Sequence, residues 1–162
     1  MKPSSPGPVS ERDSRTASGS VSTGSAPGAT TKHVLLAEDD ADLRALIALK
    51  LAEAGFEVTE AGDGTALLDR LADSIDVEGS LSRFDAIVSD ICMPGYTAID
   101  ILTGIRRYLP DTPVVLITGL ADRHTHERAQ QLGAVAVYDK PVNLDVLCET
   151  VRNVIAHRAE PA

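Results

Sequence analysis

The sequence predicts an α/β domain: a doubly wound parallel sheet in which five strands alternate with five helices. Three observations carry this: five short apolar runs, a helical-period stretch after each of them, and glycine or proline punctuation in between. Strand–helix alternation of this kind implies parallel pairing through right-handed crossovers, with helices covering both faces.

The elements follow in order. VLLA (34–37) is a compact run ended by acids, as expected of a strand buried on both faces. Residues 42–54 repeat Leu43, Leu46, Ile47 and Leu51 at helical spacing, and Gly55 closes the helix, with Asp40 or Asp42 available to cap its start. FEVTEA (56–61) alternates as a strand, and 64–72 returns to the helical period through Leu67, Leu68 and Leu71. DAIVSD (85–90) is the third strand. A helix over 97–108 uses Ile99, Leu102 and Ile105 and is broken at Pro110. PVVLITG (113–119) is the most β-prone run, followed by a polar helix over 122–132 that Gly133 stops. AVAVY (134–138) is strand five, and Leu144, Leu147, Val151, Val154 and Ile155 define the last amphipathic helix.

Composition limits what this domain can do. The 162 residues include 15 Lys+Arg against 24 Asp+Glu, a net charge of −9, with 3% aromatic residues and no Trp. A basic, base-stacking nucleic-acid surface is therefore not expected, nor is direct DNA binding. No apolar run is long enough for a membrane span, and the N-terminus has no apolar signal-peptide core. Cys92 and Cys148 fit neither a disulfide framework nor a zinc spacing, so the expected setting is the reducing cytoplasm. Residues 1–31, rich in Ser, Gly, Pro and Thr, hold too little apolar surface to offset the entropy of ordering and read as a disordered tail. One domain over 32–158 and a short tail over 159–162 complete the division.

In open parallel sheets, ligands bind outside the carboxyl ends of the strands. Glu38, Asp39 and Asp40 follow strand one, Asp90 ends strand three, Thr118 ends strand four, and Lys140-Pro141 follows strand five. Crowded carboxylates repel one another, and a hard divalent cation relieves that repulsion. Mg²⁺ suits a site with few protein ligands. A hydroxyl and an ammonium on the same rim match the oxygens of a phosphoryl group, so the set suits phosphoryl transfer to a carboxylate. Individually these residues have plainer readings: Glu38 and Asp39 as helix-dipole acids, Asp90 as a turn residue, Thr118 as strand Thr, and Lys140 as a solvated charge. The Gly62-Asp63-Gly64 turn fails the dinucleotide fingerprint, since Leu67 stands at the third glycine, and it reads as turn geometry. His124 and His126 do not share a helix face and read as solvated, and Cys92 reads as small and partly buried.

Four motifs in order, VLLAEDD, DAIVSDICMPG, PVVLITG and VYDKPV, resemble the receiver domains of bacterial two-component response regulators over about residues 33–157. The resemblance implies a flavodoxin-like (βα)5 fold with strand order 2-1-3-4-5. It implies that Asp90 is the phosphoacceptor, taking a phosphoryl group from a histidine kinase or phosphotransfer protein. Asp39 directly, Glu38 through water, Asp90, and the backbone carbonyl of Cys92 would hold Mg²⁺. Thr118 resembles the switch hydroxyl, with small Gly119 beside it. Lys140 resembles the lysine that pairs with the phosphate, and its bond to Pro141 is commonly cis in the family. The output contact is expected on the helix 4–strand 5–helix 5 face, about residues 122–157, with a phosphorylation-dependent homodimer left open.

Two departures stand out. Val137 occupies the place of the family's switch aromatic, and neighbouring Tyr138 points to the opposite face by strand alternation. The segment 74–83 is longer than the family needs and reads as a surface loop. The chain ends soon after helix five, so a stand-alone receiver signalling through protein contacts is the expectation, catalysing no reaction beyond its own phosphorylation and dephosphorylation. Two alternatives stay open: a non-cycling pseudo-receiver, kept alive by Val137, and a small Mg²⁺-dependent phosphohydrolase. The latter is disfavoured because Cys92 stands where such enzymes need a second aspartate.

Overall fold

The computed structural model describes residues 28–79, 83–108, 111–120 and 122–160. The tail assigned to 1–31 lies outside them as far as residue 27, as do Pro110, part of the 74–83 loop, and the last two residues.

Five strands, β1 (His33–Ala37), β2 (Glu57–Ala61), β3 (Ala86–Asp90), β4 (Val114–Thr118) and β5 (Ala136–Asp139), alternate with α1 (Ala41–Glu53), α2 (Gly64–Ala72), α3 (Ala98–Ile105), α4 (Arg123–Gln131) and α5 (Leu144–Ala159). They form one sheet of order β2-β1-β3-β4-β5, and every pairing is parallel. The predicted fold and strand order hold.

Side-chain alternation along each strand feeds two cores. On one face Val34, Leu36, Val88, Val115 and Ile117 meet Ile47 and Leu51 of α1 and Leu147, Val151 and Ile155 of α5. On the other, Leu35, Ile87, Leu116 and Val114 meet Leu67 and Leu71 of α2, Ile99 and Leu102 of α3, and Ala129 of α4. Residues 34–37 are fully buried, which is why they read as an unbroken apolar run rather than an alternating one.

Each helix starts on a side-chain cap: Asp40, Asp63, Thr97, Asp122 and Asn143 accept from the first-turn amides. Of the two acids available to α1, Asp40 does this work. The third helix ends sooner than its pattern, tightening at Arg106–Tyr108 into a 3₁₀ turn, and β5 begins at Ala136 instead of 134. Gly64 has a different reason from the turn geometry expected of it. A Cβ there would lie 2.1 Å from the Tyr96 carbonyl oxygen, so glycine is required by a backbone approach.

Candidate phosphoryl-transfer site

Parallel pairing in register brings the ends of β1, β3, β4 and β5 to one rim, and the polar residues that terminate the strands meet there. Lys140 is the hub. Its Nζ donates to Asp90 Oδ2 at 2.6 Å and lies 2.9 Å from Glu38 Oε2. Its own amide donates to the Thr118 carbonyl at 2.8 Å, which holds the start of the β5–α5 loop against β4. The Lys140–Pro141 bond is cis.

Glu38 and Asp90 are buried, while Asp39 is exposed at the rim. One oxygen from each of Glu38, Asp39 and Asp90 falls within 4.8 Å of the others. Asp90 Oδ1 accepts the Cys92 amide at 3.0 Å, and Glu38 Oε1 accepts the Asp40 amide at 3.1 Å. Glu38 Oε2 is different. Although close to the ammonium, it is buried and receives no aligned hydrogen bond. Three carboxylates thus gather around one ammonium, and that oxygen donor set fits a hard, oxygen-seeking divalent cation.

Burial raises the Glu38 pKa, and the bonds from Lys140 and the Asp40 amide only partly offset this. For Lys140, burial pulls downward, but the hydrogen bonds to Asp90 and Glu38 prevail and hold it above its ordinary 10.5. The ammonium is therefore fully charged at neutral pH.

Thr118 is fully buried at the end of β4, in register with Asp139. Its hydroxyl donates to the Leu120 carbonyl at 3.2 Å and accepts the Leu120 amide at 3.0 Å, so it belongs to the β4–α4 turn rather than to the carboxylate cluster. Cys92 corrects an expectation: it is exposed, because Ile91 and Met93 on either side turn inward and send it out. Val137 packs into the α2–α4 core, whereas Tyr138 lies on the α1/α5 face, where its hydroxyl bonds Thr150 Oγ1 at 2.6 Å. Tyr138 thus does not occupy the missing aromatic's place. Two site features lie beyond the sequence reading. Arg44 Nη1 donates to the Glu38 carbonyl at 2.8 Å, and His126 Nε2 bonds Asp139 Oδ1 at 2.8 Å. No sequence pattern signals the first, because its acceptor is a backbone carbonyl.

A five-stranded 2-1-3-4-5 sheet with acids and one lysine at its carboxyl rim defines a receiver-type signalling module. The family model for the response regulator receiver domain matches residues 34–152, and the chain belongs to that family, a component of two-component phosphorelay systems. Among curated relatives, the transcriptional regulatory protein FixJ of Bradyrhizobium diazoefficiens is 36% identical over 134 residues, covering 82% of this chain and 61% of FixJ. The transcriptional regulatory protein PdtaR of Mycobacterium tuberculosis is 32% identical over 136 residues, covering 83% of this chain and 62% of PdtaR. This chain therefore spans about three fifths of those relatives. Among solved structures, the receiver domain of Francisella response regulator 1452 superposes with TM-score 0.68 at 27% identity, covering 78% of this chain and 98% of its own. The chemotaxis response regulator CheY4 of Vibrio cholerae gives 0.66 at 28% identity, covering 77% and 99%. Among the described residues, no helix is long and apolar enough to cross a membrane.

Proposed function

We propose that this chain is a cytoplasmic receiver that takes a phosphoryl group onto Asp90 from a histidine kinase or phosphotransfer protein and signals through protein contacts. The carrying observation is the Lys140 ammonium bridging buried Asp90 and Glu38. That arrangement supplies a fixed positive charge where phosphoryl oxygens would gather, next to a carboxylate whose position is set by the Cys92 amide.

In the transfer, an Asp90 carboxylate oxygen attacks phosphorus in line. The P–N bond of the phosphohistidine breaks, the imidazole leaves with the electron pair and takes a proton, and an acyl phosphate forms on Asp90. Glu38, Asp39, Asp90 and the Cys92 carbonyl would hold Mg²⁺, which supplies charge neutralisation at the phosphoryl oxygens when bound. Lys140 shifts its hydrogen bond from the Asp90 carboxylate to the new phosphoryl oxygens. The Thr118 hydroxyl, whose partner among the described residues is the exposed Leu120, can exchange those bonds for a phosphoryl oxygen. Thr118, Lys140 and Asp139 are joined through the β4–β5 register, so a change at the phosphate reaches the α4–β5–α5 face. That face is the proposed contact for a downstream protein or a phosphorylation-dependent homodimer. The domain over 32–158 carries this activity without contacting DNA itself, as the acidity of its folded part favours.

Val137 favours a second reading, a module that binds partners without cycling, because the aromatic half of the switch is missing from β5. Intact mass after treatment with acetyl phosphate, with and without Mg²⁺, separates the two. A cycling receiver gains one phosphoryl group only with Mg²⁺; a chain that gains none while control receivers react is the non-cycling module.

A further inference from the structure

We propose that Arg44 is a positioning residue for the acidic pair, holding the peptide that joins Glu38 to Asp39 so that both carboxylates face one cation. The inference rests on the metal-binding reading above and adds the residue that sets the geometry. Arg44 lies in the second turn of α1 and points back over the end of β1. Its Nη1 donates to the Glu38 carbonyl at 2.8 Å, and its Nε donates to Glu60 Oε2 of β2 at 3.1 Å. The Glu38 amide, on the other side of the same residue, donates to the Ala61 carbonyl at 3.1 Å. The main chain of Glu38 is therefore gripped at both ends, by β2 through its amide and by Arg44 through its carbonyl.

The Glu38 carbonyl and the Asp39 amide belong to one planar peptide group. Fixing that carbonyl fixes the direction in which Asp39 leaves the strand, and with it the separation of the two carboxylates. Hydrogen bonds formed with groups that carry ligands set a metal site's geometry as much as the ligands do. The planar guanidinium can supply two diverging donors at once, one to a backbone oxygen and one to Glu60, which an ammonium on a flexible stem cannot reproduce. The next loop has room for it. Gly62 faces Arg44, and a Cβ at that position would lie 3.2 Å from Nη1. Arg44 is only 22% exposed, so water competes little for its hydrogen bonds.

The test uses the full 162-residue chain and Mn²⁺ as the probe, counting free ion by electron paramagnetic resonance. Arg44→Gln is expected to bind Mn²⁺ about tenfold more weakly than wild type. Arg44→Lys should fall in between. Gly62→Ala, which alters no charge but crowds the guanidinium, should also weaken binding, and it carries the test if Arg44→Gln does not fold. Arg123→Gln, on the exposed face of α4, should bind as wild type. Metal-free melting temperatures separate positioning from folding: the affinity loss should appear in variants that melt within a few degrees of wild type. Wild-type affinity in folded Arg44→Gln and Gly62→Ala overturns the inference while leaving the metal reading intact. A wild-type chain that binds no Mn²⁺ overturns the metal reading and this inference with it.

Discussion

Replacing Lys140 with methionine keeps most of the stem and removes the charge that Asp90 and Glu38 share. Their side chains are 5% and 1% exposed, against 25% for Lys140, so the variant leaves two nearly buried carboxylates facing each other without a counter-ion. Breaking a fully buried pair costs about 3–5 kcal/mol, and the partial exposure of the lysine reduces this to about 2–4 kcal/mol. Urea unfolding followed by far-ultraviolet circular dichroism in EDTA at pH 7 measures it, since the chain has no Trp to report. A divalent cation should then recover more stability in the variant than in wild type, because it meets the acids without a competing ammonium. At a cation concentration a hundred times its Kd, binding to the folded state alone adds about 2.7 kcal/mol. Lys140 has a folded pKa raised above its ordinary 10.5, so its contribution is fully present below that value and lost as pH rises through the folded value. The gap between wild type and variant should therefore be present at neutrality and close in alkali, as the ammonium is lost, and also in acid, where Glu38, whose pKa burial raises, takes up a proton and needs no counter-ion. A variant as stable as wild type in EDTA, or one that gains no more from the cation, refutes the reasoning.

Gly64→Ala places a methyl group 2.1 Å from the Tyr96 carbonyl oxygen, and the backbone shift it forces should cost about 1–3 kcal/mol in the same urea assay. Tyr138→Phe removes the hydroxyl bonded to Thr150 and should cost about 1 kcal/mol, with the Thr150→Ala variant adding little on top of it in a double-mutant cycle. Asp122 caps α4 and has a pKa below its ordinary 3.8, through hydrogen bonds from the Thr125 hydroxyl and amide. A lowered acid contributes stability above its unfolded value and loses it as pH falls through the folded one. Asp122→Ala should accordingly melt below wild type at pH 7, and the two should converge on acidification.

The fold and the main site residues are legible for one reason. A doubly buried parallel strand is an unbroken apolar run, and its carboxyl end is marked by the first polar residue after it. Glu38 and Thr118 stand at such marks, Asp90 comes one residue after Ser89 at the end of β3 and Lys140 one residue after Asp139 at the end of β5, and the rule that ligands gather there brings them together before any coordinates are known. What stays hidden depends on contacts that leave no pattern. The Arg44 bond goes to a backbone carbonyl, which every residue has. Gly64 looks like a turn glycine, because the Tyr96 backbone that crowds it comes from a loop two elements later. His126 reads as solvated because its partner, Asp139, lies on another element. The Thr118 hydroxyl turns toward Leu120, a choice of rotamer that periodicity does not carry.

The account's central claim is that Asp90 is the phosphoacceptor. Borohydride reduction after acetyl phosphate and Mg²⁺, followed by peptide mass spectrometry, tests it most directly, since reduction of an acyl phosphate converts that aspartate to homoserine. The account predicts homoserine at position 90, absent without Mg²⁺, with Asp90→Asn taking up no phosphoryl group. Reduction at Asp39 or another carboxylate in wild type, or undiminished uptake by Asp90→Asn, would contradict it.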